Sequence, residues 1–320
     1  MYTVGIDLGG TNIAAGICDE NLNIVIKGSV PTNAGRDPEL IIKDMAELVS
    51  DLLWKADIKL SEISYVGIAA PGSVNVQTGV VEYSNNIRMS NFPMCEILKK
   101  YLPVDKIYIE NDANAAALGE ALAGAAKGAG VAVMITLGTG VGGGVVMNGK
   151  IFAGGINHSG TELGHTVIVS GGRQCSCGRR GCWEAYSSAT ALSLMTKEKA
   201  NQLKLLGVSS LMHADEREDG SYSARCAFDA MKKGDPYAKE VVDSYIYYLA
   251  EGITNMINIF QPHTLCIGGG VCNEKEYLTV PLIEIVNRHQ YTRSNPNKTK
   301  IVIATLGNDA GIIGAASLGR

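Results

Sequence analysis

The chain has 320 residues, 38 glycines, 8 cysteines and a formal net charge of −4. That length buries a core large enough for two domains or lobes, and an acidic balance without a basic tract argues against nucleic acid or an anionic membrane as partner. No apolar run reaches the ~20 residues of a membrane helix. The opening MYTVGIDLGG has no cationic leader, so a reducing cytoplasm that keeps the cysteines as thiols is expected.

Residues 2–7 read as a strand that enters Leu8-Gly9-Gly10-Thr11-Asn12, and Ile13 to Cys18 with the Asp-Glu-Asn turn at 19–21 completes a hairpin. Asp37-Pro38-Glu39 opens a helix, with Asp as N-cap and Pro in the first position. Leu40, Ile41, Met45, Leu48, Val49, Leu52 and Leu53 then recur at helical spacing to about Trp54. Ser64 to Ala69 is a buried strand ending in Ala70-Pro71-Gly72, and strand ends of this kind are where open α/β sheets bind ligands. Asn85 and Asn86 fall in a polar loop. A strand from Lys106 to Glu110 runs into Asn111-Asp112-Ala113-Asn114, which opens an alanine-rich helix to about Ala126.

Val131 to Leu137 is the next strand, followed by GTGVGGG (138–144) and a strand closed at Asn148-Gly149. Ile135-Thr136-Leu137-Gly138 repeats the frame of Ile6-Asp7-Leu8-Gly9. A strand–turn–strand unit built twice predicts two α/β halves with a cleft between lobes. Farther on, 187–205 reads as helix and 213–225 as an exposed charged loop. Val241, Val242, Tyr245, Ile246, Leu249, Ile253, Met256, Ile257 and Phe260 form a long helical stripe ended by Pro262. Thr264 to Ile267 is a buried strand feeding Gly268-Gly269-Gly270, Lys300 to Leu306 is the last strand, and Asn308-Asp309 caps the terminal helix.

The densest chemistry lies between Thr161 and Glu184. His165, Cys175, Cys177 and Cys182 are spaced His-x9-Cys-x-Cys-x4-Cys. Three thiolates and an imidazole suit a tetrahedral zinc at a closed site, and the intervening glycines permit the tight turns of a chelate loop. Four protein ligands leave no open position, so the metal is expected to build rather than react; a catalytic zinc is the weaker alternative. Glu162 and Glu184 flank the cluster, and with His165 they offer hydrogen-bond partners to a polyhydroxylated ligand such as a sugar. A helix cap or surface acid is the plainer reading of Glu162.

Three glycine turns follow three strands: Gly9-Gly10-Thr11, Gly138-Thr139-Gly140 and Gly268-Gly269-Gly270. Glycine lets consecutive backbone N–H groups approach phosphate oxygens, and threonine adds a hydroxyl donor. Residues 144–150 match the opening of a P-loop, but Ile151 stands where a Ser or Thr must hold Mg²⁺. GTGVGG matches a dinucleotide fingerprint, but a strand and not a helix follows it. Asp112 is the candidate base, at a strand-to-helix junction between Asn111 and Asn114, where a helix N-terminus favours the ionised form. An ordinary N-cap is the competing reading.

With DLGGTN (7–12), APG (70–72), ENDANAAALGE (110–120), TLGTGVGGG (136–144), ELGH (162–165), CSCGRRGCWE (175–184), IGGG (267–270) and GNDAGIIGAA (307–316), the chain resembles the ROK family of sugar kinases. The resemblance implies a two-lobed actin-like ATPase/hexokinase (ribonuclease H-like) α/β fold with a structural zinc loop. Its smaller lobe would be 1–115 plus 305–320, and its larger lobe 116–304. The implied activity is transfer of phosphate from ATP to a hexose, glucose foremost, with N-acetylmannosamine, allose, fructose and mannose as alternatives. Asp112 would be the base for the sugar 6-hydroxyl, with Gly72, Asn86, Asn111, Asp112, Glu162, His165 and Glu184 at the sugar.

Phosphates would lie at Gly9, Gly10, Thr11 and Asn12 and at Thr136, Gly138, Thr139 and Gly140, with Mg²⁺ near Asp7 and adenosine at Gly268, Gly269 and Gly270. Zn²⁺ would take His165, Cys175, Cys177 and Cys182, His165 also touching the sugar, and loss of that zinc is expected to leave ATP binding little changed. A homodimer is implied. Sugar-sensing repressors of the family carry a DNA-binding domain ahead of the first strand; only six residues precede Asp7 here, which makes that reading poor. Thr161 departs from the Gly or Ala usual before the glutamate, which puts the sugar's identity in question.

Overall fold

A computed structural model describes residues 1–84, 87–155, 158 and 160–320. By contacts the described chain divides into two compact units. The first is Met1–Met134, Gly144–Thr161 and Ala304–Arg320; the second is Ile135–Gly143 and Glu162–Ile303. The division keeps the alanine-rich helix whole within the first unit.

The first unit opens with β1 (Tyr2–Leu8), β2 (Asn12–Cys18) and β3 (Ile24–Pro31), then α1 (Pro38–Lys55) and β4 (Ile63–Ala70). A three-stranded sheet of β5 (Ser73–Asn75), β6 (Val80–Ser84) and β7 (Met89–Phe92) follows, then α2 (Met94–Tyr101), β8 (Ile107–Asn111) and α3 (Asp112–Leu122). The main sheet has the order β3-β2-β1-β4-β8, antiparallel through β1 and parallel from β1 to β8. Alternating strands and helices give this layering because a right-handed crossover returns each helix to the sheet face. Helix α1 lays Ile41, Ile42, Met45, Ala46, Val49, Leu52 and Leu53 into the core, capped by Asp37, which accepts from the Glu39 N–H. Leu40, expected in the stripe, is 49% exposed.

The remaining elements are β9 (Val131–Leu137), β10 (Val141–Met147), β11 (Lys150–Ile151), α4 (Glu184–Ser187), α5 (Ala189–Leu205), α6 (Cys226–Lys232), α7 (Pro236–Phe260), β12 (Thr264–Gly268), α8 (Glu276–His289), β13 (Lys300–Ile303) and α9 (Ala310–Ala315). The second sheet runs β11-β10-β9-β12-β13. It repeats the connectivity of the first, so the duplication visible in four residues extends to the strand order. Within the second unit, Trp183 is fully buried against α7, where a Cβ on Gly252 would lie 1.9 Å from its ring.

Three boundaries differ from the sequence reading. Helix α3 ends at Leu122 and not near Ala126, because the buried Glu120 carboxylate takes the Ala125 N–H at 2.7 Å and folds the chain into a turn. The same carboxylate accepts from Leu306 N–H at 2.7 Å, which ends β13 at Ile303. Asp309 does not cap α9 with its side chain; its carboxylate pairs with Lys27 at 2.7 Å.

The terminal helix α9 sits closer to its neighbours than side chains allow. A Cβ on Gly5 would lie 1.9 Å from the Ile312 carbonyl, one on Gly67 1.8 Å from the Ala315 carbonyl, and one on Gly314 1.7 Å from the Ala115 carbonyl. Gly67→Ala is therefore expected to lower stability by at least about 1–3 kcal/mol. Gly35→Ala, with nothing within 4 Å of the added methyl, should leave it unchanged. Urea denaturation of the two variants checks this, and equal midpoints would refute the close packing.

Candidate active site and metal centre

Parallel strand β8 delivers Asn111 to the end of the sheet, and α3 starts at the next residue. Asn111 is the N-cap: its Oδ1 accepts from Ala113 N–H at 2.9 Å and Asn114 N–H at 3.2 Å. Its Nδ2 donates to the Gly72 carbonyl at 3.0 Å. The capping role therefore falls to Asn111, which leaves Asp112 in the first turn of the helix, where the N-terminal dipole favours a carboxylate. Asp112 Oδ1 accepts from Ala113 N–H at 2.8 Å. Gly72 holds φ at +95°, and a Cβ there would be 2.1 Å from the Tyr83 carbonyl, so glycine is required at this turn.

Asp7, one residue from the end of β1, faces the same corner. Burial, and then the charge of Asp112, raise its pKa from the ordinary 3.8 to about 6. Two carboxylates that disfavour each other's ionisation are a donor set suited to a hard divalent cation. Glu110, 6% exposed, precedes Asn111 in β8; burial pushes its pKa up against hydrogen bonds from Asn111 N–H and Asn114 Nδ2. The sequence signal for Glu110 was available, since a carboxylate in an otherwise apolar buried strand needs a partner.

The first two glycine turns share a construction. Gly9 N–H donates to the Asn12 carbonyl at 2.9 Å, and Gly138 N–H to the Gly140 carbonyl at 3.0 Å. The first N–H of each turn thus closes the turn, and donors for a ligand come from the residues after it: exposed Gly10, Thr11 and Asn12 in one, exposed Thr139 with half-buried Gly140 in the other. Thr136 is half-buried one residue before the end of β9. A Cβ on Gly138 would meet nothing within 4 Å, so the face of that turn is open. The third turn is different. Gly268 is buried at the end of β12, and Gly269, at φ +93°, is needed because a Cβ would lie 2.4 Å from the Leu137 carbonyl. Gly270 has open space.

In the second unit the ligand atoms of His165, Cys175, Cys177 and Cys182 all lie within 4.8 Å of one another. Cys175 Sγ is 3.6 Å from His165 Nδ1, and Cys177 Sγ is 3.6 Å from Cys182 Sγ. Metal–sulfur bonds of about 2.3 Å in a tetrahedron require sulfurs roughly 3.8 Å apart, so the cluster fits a zinc ion. The loop is shaped by Gly171, Gly178 and Gly181, all at positive φ. His165 presents Nδ1 to the cluster, which leaves Nε2 on the opposite ring edge.

Glu162 is exposed and makes no side-chain cap, so the helix-cap reading of that residue does not hold. Glu184 is held more tightly than expected. Its Oε2 accepts from Val141 N–H at 3.0 Å, and its Oε1 from Ser176 Oγ at 3.0 Å. A Cβ on Gly140 would lie 2.3 Å from Glu184 Oε2. The metal loop and the Gly138–Gly140 turn are therefore joined through one carboxylate. Ser176 had no signal in the sequence beyond its place between two cysteines. Asn86 lies outside the described residues.

Two sheets of matching strand order, each with a glycine turn after its first strand and helices alongside, define a mixed α/β fold of the ROK hexokinase type. A ROK family glucokinase from Streptomyces griseus, solved in complex with glucose and AMPPNP, superposes with a TM-score of 0.80 at 31% identity, covering 99% of each chain. The glucokinase of Halalkalibacterium halodurans is 37% identical over 318 residues, 99% of this chain and 94% of that one. The glucokinase of Thermotoga maritima is 37% identical over 321 residues, 99% of this chain and 97% of its own. The ROK family's sequence model matches residues 3–320, and the chain belongs to the ROK family.

The Asp7 environment makes a pH-dependent prediction. The folded chain holds the Asp7 proton up to about pH 6, whereas the unfolded chain releases it near 3.8, so the folded state is penalised as pH rises through that window. Asp7→Asn removes the penalty and should stabilise the chain at pH 7.5 by up to roughly 3 kcal/mol. The gain should fade as the pH falls from 6 toward 4. Urea denaturation at several pH values, without nucleotide or divalent cation, reads the difference; a gain independent of pH would show that Asp7 is not strained by its charge.

Proposed function

We propose that the chain is an ATP-dependent hexose kinase converting glucose and ATP to glucose 6-phosphate and ADP. The observation that carries the reading is the corner where Asn111 serves as helix cap and leaves Asp112 as a carboxylate in the first turn, beside Asp7. A base for a hydroxyl next to a cation site is what phosphoryl transfer requires. Similarity to glucokinases over nearly the whole chain supports glucose as the acceptor. The setting that goes with this reading is a reducing cytoplasm and a homodimer that takes sugar and ATP, not nucleic acid.

In this reading Asp112 accepts the 6-hydroxyl proton as that oxygen bonds to the γ-phosphorus, and the bond from phosphorus to the ADP oxygen breaks. Asn111 offers the amide hydrogen that does not go to Gly72; Glu162, His165 Nε2 and Glu184 take other sugar hydroxyls. Gly10, Thr11 and Asn12, with Thr136, Thr139 and Gly140, would supply donors to the phosphates, and Gly270 would lie on the adenosine side. Asp7 would hold Mg²⁺, which when bound spreads the charge on the phosphate oxygens. His165, Cys175, Cys177 and Cys182 would hold Zn²⁺, which when bound fixes the His165 ring and its tautomer.

A coupled ATP-consumption assay over a panel of hexoses tests the reading, with glucose expected to give the highest kcat/KM. Asp112→Asn should keep glucose binding and lower kcat by roughly 10²–10⁴, the usual worth of a placed general base. Near-normal turnover in that variant would put the base elsewhere.

Metal removal gives a second prediction. Purified protein should carry close to one zinc per chain, and Cys177→Ser should lose it. Displacement of His165 and Glu184 by about 1 Å should then lower kcat/KM for glucose on the order of 10²-fold. Because Glu184 also holds the Val141 N–H, the KM for ATP should rise as well. A metal-free preparation with full glucose turnover would sink the structural-zinc assignment.

A further inference from the structure

Thr161 adopts a backbone conformation that its side chain disfavours. Its φ is +66°, in the left-handed region where a β-branched residue is an outlier. Such a conformation persists where surrounding contacts over-determine it, and the contacts here are polar and specific. The hydroxyl shares its proton between the Gly160 carbonyl at 2.6 Å and Asn114 Oδ1 at 3.0 Å, the latter across 47 residues of sequence. Asn114 is 3% exposed, and its Nδ2 donates to Glu110 Oε1 at 3.1 Å. Glu110 Oε1 also accepts from Asn111 N–H at 2.9 Å.

These contacts form a closed circuit around Asp112. Glu110 precedes the cap residue and Asn114 lies in the first turn of α3. Asn111 Oδ1 in turn accepts from the Asn114 N–H. The orientation of the Asn114 amide decides whether the circuit closes, because an oxygen turned toward Glu110 would face an atom already accepting. An acceptor-facing amide end needs a donor on its other side, and the Thr161 hydroxyl is that donor. Alanine or glycine at 161 could not supply it, and valine would fill the space without the proton.

We propose that Thr161 is a positioning residue: its hydroxyl fixes the Asn114 amide, and through Asn114 and Glu110 it fixes the Asn111–Asp112 turn that presents the base. The effect on rate rests on the kinase reading above, while the effect on the turn does not.

The test compares the full chain with Thr161→Ser, Thr161→Val and Thr161→Gly. Hydrogen exchange at the Ala113 and Asn114 amides reads the turn directly, and the hexose assay reads its consequence. Serine keeps the donor and should match wild type in both. Valine should speed exchange at these two amides about tenfold without changing the amides of β4, and should lower kcat about tenfold with an unchanged KM for ATP. Glycine relieves the positive φ, so its melting temperature should hold or rise while exchange and kcat change as for valine. Better stability with slower turnover is a combination that mere structural support does not produce. Wild-type exchange in Thr161→Gly overturns the proposal, and that variant also decides the matter if Thr161→Val does not fold. A wild-type chain that phosphorylates no hexose would remove the kinase reading, and the exchange measurement would still decide the role of Thr161.

Discussion

The close approach of α9 to β1, β4 and α3 is the constraint on which the first unit depends. Gly5, Gly67 and Gly314 leave no room for a Cβ, so helix and strands meet backbone to backbone around Ala69, Ala115 and Ala315. Contacts this short fix the level of α3 relative to the strand ends with little tolerance, because interiors already packed to crystal density transmit any added volume. Asp112, at the start of α3, and Asp7, near the end of β1, are thereby held near each other despite like charge. Burial within that packing, and then the charge of Asp112, raises the pKa of Asp7.

Two buried carboxylates secure the ends of the same helix. Glu110 accepts from Asn111 N–H and Asn114 Nδ2 at the start, and Glu120 accepts from Ala125 and Leu306 N–H groups at the end. Each replaces solvation with directed donors, which is the condition for keeping such a group inside. The arrangement gives α3 a defined beginning and a defined stop without a glycine C-cap. A residue in the first turn of a helix clamped at both ends inherits little motion from the rest of the chain.

Much of this was legible in the sequence, and the parts that were not share a cause. The β1–turn–β2 unit, its repeat, the Asp37 cap and the His-Cys-Cys-Cys spacing are local patterns, and local patterns survive into the fold. What was not legible turned on choices between partners that only distant segments settle. Whether Asn111 or Asp112 caps α3 depends on the Gly72 carbonyl, 39 positions away, which pins the Asn111 amide. Asp309 reads as a cap until Lys27 is placed beside it. Gly269 reads as a ligand turn, but the Leu137 carbonyl requires glycine there regardless of any ligand. Glu184 reads as a sugar contact, and its bonds from Val141 N–H and Ser176 Oγ at 3.0 Å emerge only in the fold.

The unfavourable features of the chain are concentrated where chemistry is expected. Asp7 is a carboxylate whose ionisation burial and Asp112 oppose, and Thr161 is a β-branched residue at positive φ. Neither improves the fold, and each is held by neighbours that stabilise it: α9 behind Asp7, Asn114 and Gly160 around Thr161. Strain of this kind, of order 1–3 kcal/mol per site, is tolerated where relaxing it would move a functional group. The metal loop follows the same logic in another form. Three thiols and an imidazole crowded within 4.8 Å are poorly placed without an ion, yet that placement fixes Glu184 against the Gly138–Gly140 turn. Stability is given up at the carboxylates, the positive-φ threonine and the thiol cluster, and in each case what is obtained is a fixed position for an oxygen or nitrogen of the candidate site.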